Sequence, residues 1–205
     1  MHRDACLQAT DRTLARAGGC PQNNGVGPLF TVGHSTRSLD ELVGICAAHG
    51  VRAIADVRRF PGSRRSPHFA RQALEQSLPQ HGVAYLWLPA LGGHRRRAAG
   101  APPSPWQVAA FAAYAEHMAT AEFRDGFDAL TASLATRPTA VMCAEATPYR
   151  CHRRLISDWA ELHGIEVVHL YDDRRRERHH VTPFARRAGD GVIYEAGPQL
   201  ELPVG

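Results

Sequence analysis

The stretch TAVMCAEATPYRCHRRLISDWAELHGIEVVHLY, residues 139–171, reads as strand, helix and strand in succession. TAVMCAE (139–145) and EVVHLY (166–171) are apolar runs of buried-strand length. Between them, Thr147 and Pro148 suit a helix N-cap and first helical position. At 100° per residue Leu155, Ile156, Trp159 and Leu162 form one apolar stripe, which predicts a helix over 148–163 packed on a sheet. Cys151 and His152 fall on or beside that stripe near the helix start. Arg150, Arg153 and Arg154 fall off it. Strand, helix, strand is the repeating unit of an α/β fold.

The rest of the chain repeats this unit. LFTVGHS (29–35) is a strand. SLDELVGICAAHG (38–50) is a helix, with Ser38 as N-cap, Glu41 completing a capping box and Gly50 ending it. RAIADVR (52–58) is a strand, FPGSRRSPHF (60–69) a breaker-rich loop and ARQALEQSLPQHG (70–82) a helix. AYLWLPALGG (84–93) is a strand and turn, followed by the loop HRRRAAGAPPSP (94–105). Trp106, Phe111, Tyr114, Met118, Phe123, Phe127, Leu130 and Leu134 recur at helical spacings, predicting two core-facing helices over 106–136. Near the C-terminus AGDGV separates two short β-like runs, as in a hairpin or a loose extension. The expected fold is a single three-layer α/β domain over 29–205, Rossmann-like with a mostly parallel sheet. A flexible or loosely packed extension is expected over 1–28.

The 205 residues are 44% hydrophobic and 21% charged, as in globular proteins, with a formal net charge of +4. No apolar run reaches the roughly 18–20 residues that span a bilayer. The N-terminal segment lacks the apolar core of a secretory signal, so a cytoplasmic location and no membrane partner are expected. All 24 basic residues other than histidine are arginines. Lysine chemistry is thereby excluded, and the cations present are forks suited to phosphate or carboxylate. Five cysteines, an odd number, argue against a disulfide framework. Cys46, inside LVGICAAHG, reads as a buried apolar residue, and Cys6 and Cys20 lie in the extension. Cys143 and Cys151 remain for chemistry.

In open α/β sheets ligands bind beyond the carboxyl ends of the strands. Four strands here end in polar or reactive residues: Gly33-His34-Ser35-Thr36, Asp56-Val57-Arg58-Arg59, Gly92-Gly93-His94 and Cys143-Ala144-Glu145. Their convergence predicts one site. Its expected catalytic residues are Cys143, Cys151, His152, His34, Glu145 and Asp56, and its substrate-binding residues are Ser35, Thr36, Arg58, Arg59, Gly92 and Gly93. Three chemistries fit this set. A cysteine thiolate can be the nucleophile, with His34 or His152 carrying the proton, Asp56 and Glu145 orienting and Arg58 clamping an anion. Cys143, Cys151, His34 and His152 can instead ligate a metal ion, although a spacing of eight between the cysteines matches no common zinc knuckle. The two cysteines can also be a redox pair. The charge runs HRRR (94–97) and DDRRRERHH (172–180) read as solvated loops, or as a phosphate-tracking rim for nucleic acid.

With these residues assembled, the sequence resembles a bacterial family known as domain of unknown function 488. The pieces that carry the resemblance are TVGHSTRSLDELVGICAAHGVRAIADVRRFPGSRRSPHF, YLWLPALGG, VMCAEATPYRCHRRLI and HHVTPFARR, spanning about residues 30–186. The resemblance implies that His34, Asp56, Arg58, Cys143, Glu145, Cys151 and His152 belong to shared family motifs, and it implies no reaction, substrate or cofactor. The SLDEL…ADVR part also looks loosely like a rhodanese, but the loop opened by Cys143 is longer and contains Pro148. The function expected from the residues is a thiol-dependent transferase or hydrolase acting on an anionic small molecule or nucleotide. The alternatives are a metal-dependent enzyme using the same cluster and a non-catalytic nucleic-acid-binding protein using the arginine-rich loops.

Overall fold

The computed structural model describes residues 27–62 and 66–195. The expected extension over 1–28 lies outside these residues except for Gly27 and Pro28, and so do Cys6, Cys20, Arg64 and Arg65. Five parallel strands and one antiparallel edge strand form a sheet in the order β3-β2-β4-β1-β5-β6. They are β1 (Leu29–Gly33), β2 (Ala53–Asp56), β3 (Ala84–Trp87), β4 (Thr139–Cys143), β5 (Val167–Leu170) and β6 (Arg176–Arg178). The helices are α1 (Leu39–Ala48), α2 (Arg71–Gln80), α3 (Ala109–Met118), α4 (Ala121–Thr136) and α5 (Arg153–Leu162). A two-stranded hairpin, β7 (Ala185–Ala188) and β8 (Gly191–Tyr194), follows them.

Side chains alternate across a strand, so each inner strand feeds two cores. Phe30, Val32, Ile54, Ala140 and Met142 pack with Leu42, Ile45 and Cys46 of α1 and Leu74 and Leu78 of α2. Leu29, Ala55, Val141 and Cys143 pack with Tyr114, Phe123, Leu130, Leu155 and Trp159 of α3, α4 and α5. Three layers result, as the periodicity predicts. The helix starts also match their chemistry. Ser38 and Glu41 form both bonds of the capping box, and the Thr120 side chain accepts from the Phe123 amide at the start of α4.

Two expectations are corrected. The helix expected over 148–163 begins only at Arg153. Pro148–Arg150 form a 3-10 turn, Cys151 is extended (φ −129°, ψ 152°), and His152 occupies the N-cap position. Proline suits the first position of either helix type, so it did not discriminate between them. Arg153 opposes a continuous helix: its guanidinium, 1% exposed rather than turned outward, donates to the carbonyls of Glu145 and Ala146 and draws the β4–α5 loop tight. The second correction concerns DDRRRERHH, whose residues 176–178 form β6. Charged side chains are a common feature of edge strands.

His179, at the end of the same run, is buried and joins a polar chain through the core. Thr31 Oγ1 lies 2.7 Å from His169 Nδ1, His169 Nε2 lies 3.0 Å from His179 Nδ1, and His179 Nε2 lies 2.9 Å from Asp158 Oδ1. Tyr194 donates to the other oxygen of Asp158 at 3.0 Å. With both rings neutral, every donor in this chain faces an acceptor, from the Thr31 hydroxyl to the Asp158 carboxylate.

Candidate functional site

The helix after β1 crosses one face of the sheet and the helix after β4 crosses the other, although β1 and β4 are hydrogen-bonded neighbours. The chains diverge at this topological switch point, where a crevice opens beyond the carboxyl ends. Gly33 pairs with Cys143 there, and the ladder runs on through His34 N to Cys143 O (2.9 Å) and Ser35 N to Ala144 O (2.8 Å). A Cβ at Gly33 would lie 2.0 Å from the Glu145 carbonyl oxygen. Only glycine lets the β4–α5 loop close this far.

That closure brings Cys143, Cys151 and His152 together. One Sγ from each cysteine and one ring nitrogen of His152 lie within 4.8 Å of one another. Cys151 Sγ is 3.6 Å from His152 Nδ1. Both cysteines are free thiols and buried. The hydrogen bond from Cys143 holds the Cys151 thiol well below its ordinary pKa, against the penalty of burial, with His152 and Arg153 adding to the effect. Cys143 moves the opposite way, because its proton is held by Cys151 and because it is buried. The two thiols thus titrate as one coupled pair, in which Cys151 is the more acidic member. The His152 ring rests 5.1 Å from that of Tyr114, and its Nε2 is buried with no hydrogen-bond partner among the described residues. Gly93 makes room for it, since a Cβ there would lie 2.9 Å from His152 Nδ1.

A second cluster stands beside the first. Asp56, fully buried, accepts from Arg58 Nε at 2.8 Å and Nη2 at 2.5 Å, from the Arg58 amide at 3.0 Å and from the Tyr85 hydroxyl at 2.7 Å. Arg58 Nη2 also donates to Phe69 O, and Nη1 lies 3.1 Å from His34 Nε2. A guanidinium can only donate, so Nε2 is the acceptor and the His34 proton sits on Nδ1, facing Ser35 O at 3.2 Å. Burial, then the Arg58 charge, push the His34 pKa down to about 4. A neutral ring stacked 4.2 Å from Phe69 and engaged at both nitrogens holds Arg58 in place and has no nitrogen free for proton transfer.

The two clusters meet in a cavity of about 310 Å³ whose wall includes Arg58, Arg59, Gly93, Cys143, Glu145, Cys151 and His152. Of the expected site residues these seven are brought together. Asp56 and His34 stand behind Arg58. Ser35 and Thr36 lie in the turn after β1, outside the lining, and Gly92 packs against Arg59. The sequence reading missed Phe60, Tyr114 and Arg150, which also line the cavity, as does His94 from the third strand ending. Phe60 had a legible signal as an aromatic in a polar loop, and it is 72% exposed with the Arg59 guanidinium 5.8 Å from its ring. Tyr114 was assigned to the core, and it is indeed 1% exposed, its hydroxyl donating to Leu91 O at 2.7 Å. Arg59, Phe60 and His94 continue into a second, open cavity of about 970 Å³ lined also by Arg95 and Arg96.

Fold and cleft together define a doubly wound α/β protein with a Cys–Cys–His cluster and an arginine wall at its switch point. The family model described as domain of unknown function DUF488 matches residues 38–160, and the chain belongs to that family. The match includes Asp56, Arg58, Cys143, Glu145, Cys151 and His152. No curated protein and no solved structure matches the chain significantly. Among the described residues no helix is long and apolar enough to cross a membrane.

Proposed function

We propose that this chain is an enzyme acting on an anionic, nucleotide-like substrate, with Cys143, Cys151 and His152 as its reactive centre. The observation that carries this reading is the shared wall: the thiol pair and the imidazole face the same cavity as Arg58, Arg59 and Arg150. Among the described residues neither Arg59 nor Arg150 forms an ion pair within 4.0 Å, Arg59 acting on Glu122 only at longer range, so both can turn to an anion. Arg58 is held by Asp56 and His34 and presents a fixed positive edge. Exposed Phe60, backed by Arg59, offers a face on which a base can stack, and such contacts contribute about 1–3 kcal/mol per base. Glu145, exposed at the cavity, is the acid–base group placed to exchange a proton with the substrate.

Titration calorimetry with nucleoside phosphates and their neutral nucleosides tests this reading. Phosphates bind more tightly, and Arg59→Ala or Arg150→Ala weakens them about 10-fold, as expected for loss of a charge-assisted bond. Phe60→Ala weakens both ligand types, and Phe60→Trp restores them. Turnover of the bound nucleotide disappears in Cys151→Ser. Equal affinity for charged and neutral ligands, or binding indifferent to all three wall residues, refutes the proposal.

A further inference from the structure

We infer that Cys143, Cys151 and His152 bind one divalent zinc-type ion, in a site whose fourth position opens to the substrate cavity. The inference rests on the proposed enzyme's centre and names its cofactor. Zinc takes thiolate sulfur at about 2.3 Å and imidazole nitrogen at about 2.0–2.1 Å, so a tetrahedral S–N edge measures about 3.6 Å. The Cys151 Sγ to His152 Nδ1 separation is 3.6 Å. All three candidate ligand atoms lie within 4.8 Å of one another, close enough for a modest closure of Cys143 to complete the face.

Local chemistry points the same way. Thiolates and imidazole are the ligands that borderline-soft ions prefer over magnesium or calcium. Two adjacent buried thiols cannot both ionise without help. A doubly charged cation neutralises two thiolates, each thiol releasing its proton to solvent on ligation. Among the described residues the imidazole has one hydrogen-bonding contact, the Cys151 sulfur. The missing side chain at Gly93 leaves the edge of Nδ1 uncovered. The loop that carries the ligands is fixed independently, by Arg153 donating to the Glu145 and Ala146 carbonyls and by the close approach at Gly33. A site with three protein ligands and one position left to a cavity is the catalytic arrangement rather than the closed structural one. Glu145 lines that cavity and is exposed, placed to exchange a proton with whatever fills the fourth position.

The test uses the full chain purified without a polyhistidine tag or added metal. Elemental analysis is expected to return about one zinc per chain, and the chelator-stripped protein to take up Co2+ with thiolate-to-cobalt charge-transfer absorption and intense tetrahedral bands. Cys143→Ser, Cys151→Ser and His152→Ala each lose the metal, whereas Cys46→Ser keeps it. If a ligand variant fails to fold, the cobalt spectrum of the wild-type protein still decides. A folded wild type that takes up neither ion, or that gives a cobalt spectrum without thiolate charge transfer, overturns the inference. So does metal retained in the Cys143→Ser, Cys151→Ser double variant. Nucleotide titration of the same preparation separates the two proposals. Metal without nucleotide binding refutes the substrate reading alone, and nucleotide binding without metal refutes this one alone.

Discussion

Gly33→Ala tests the central claim of the site, that the β4–α5 loop is seated on a strand lacking a side chain. The new Cβ would meet Glu145 O at 2.0 Å, Glu145 C at 2.7 Å and Ala146 Cα at 2.8 Å. Such contacts do not occur below 3.0 Å, so the carbonyl must retreat by at least 3.0 − 2.0, about 1.0 Å. All three atoms are backbone, so no rotamer change relieves the clash. Overpacking of this kind costs about 1–3 kcal/mol. A retreat of that size also strains His34 N to Cys143 O and Ser35 N to Ala144 O, each worth about 1 kcal/mol. With both bonds lost the total expected is about 3–5 kcal/mol, read as a lower urea midpoint at unchanged slope. Gly44→Ala is the control, because a Cβ there meets nothing within 4 Å on an exposed position of α1. It should stabilise the helix by about 0.5–1 kcal/mol. If Gly33→Ala unfolds within about 0.5 kcal/mol of wild type, the loop is not seated as described.

Other predictions concern the buried polar groups. Burial, then the neighbouring His179, depress the pKa of His169 to about 3. The unfolded chain therefore binds more protons between pH 3 and about 6.5, the ordinary value. The stability from the neutral ring is full above about pH 6.5 and declines as pH falls toward 3; urea unfolding at pH 7 and pH 5 should show the loss, and identical midpoints would contradict it. His179→Ala removes one of three hydrogen bonds to the Asp158 carboxylate, which is 0% exposed and keeps the Thr182 amide and the Tyr194 hydroxyl, and is expected to cost about 1.5–3 kcal/mol. A loss below about 1 kcal/mol by calorimetry would mean that Asp158 needs no histidine. Asp56→Ala, which isolates the Arg58 charge, should cost about 3–5 kcal/mol. Tyr85→Phe removes one bond to the same carboxylate and should cost about 1 kcal/mol. Equal damage from the two would refute the dominance of the arginine pair.

Much of the architecture was legible because local and global signals agree. The capping box at Ser38 and Glu41, the aromatic period over 106–136 and the apolar runs of β1, β2, β4 and β5 each find their expected place. The thiol cluster was also legible, but by an argument that the backbone corrects. Cys151 and His152 come to Cys143 through an extended residue and a tight loop, not along a continuous helix face. What set that loop was Arg153, whose burial depends on carbonyls that only the folded chain presents to it. The same limit applies to His34, Asp56 and Arg58. Their convergence follows from strand ends, but the tautomer of His34 depends on which atom Arg58 reaches in three dimensions. β6 was missed because Arg-Glu-Arg carries no apolar alternation and gains its structure only from the edge of β5.

The strand order has a consequence for synthesis. β1, the first strand in chain order, has β4 and β5 as its neighbours, and both come more than a hundred residues later. A nascent chain that has reached α4 can pair β2 with β3 but has nothing to place against β1. Gly33 and His34 wait unpaired until residues 139–143 emerge, and Cys143 arrives in the same strand that closes the gap. The thiols are therefore never displayed on a finished half-domain. A copy truncated before β4 has no cleft and no cysteine pair, whereas one that extends through Cys151 and α5 can form both.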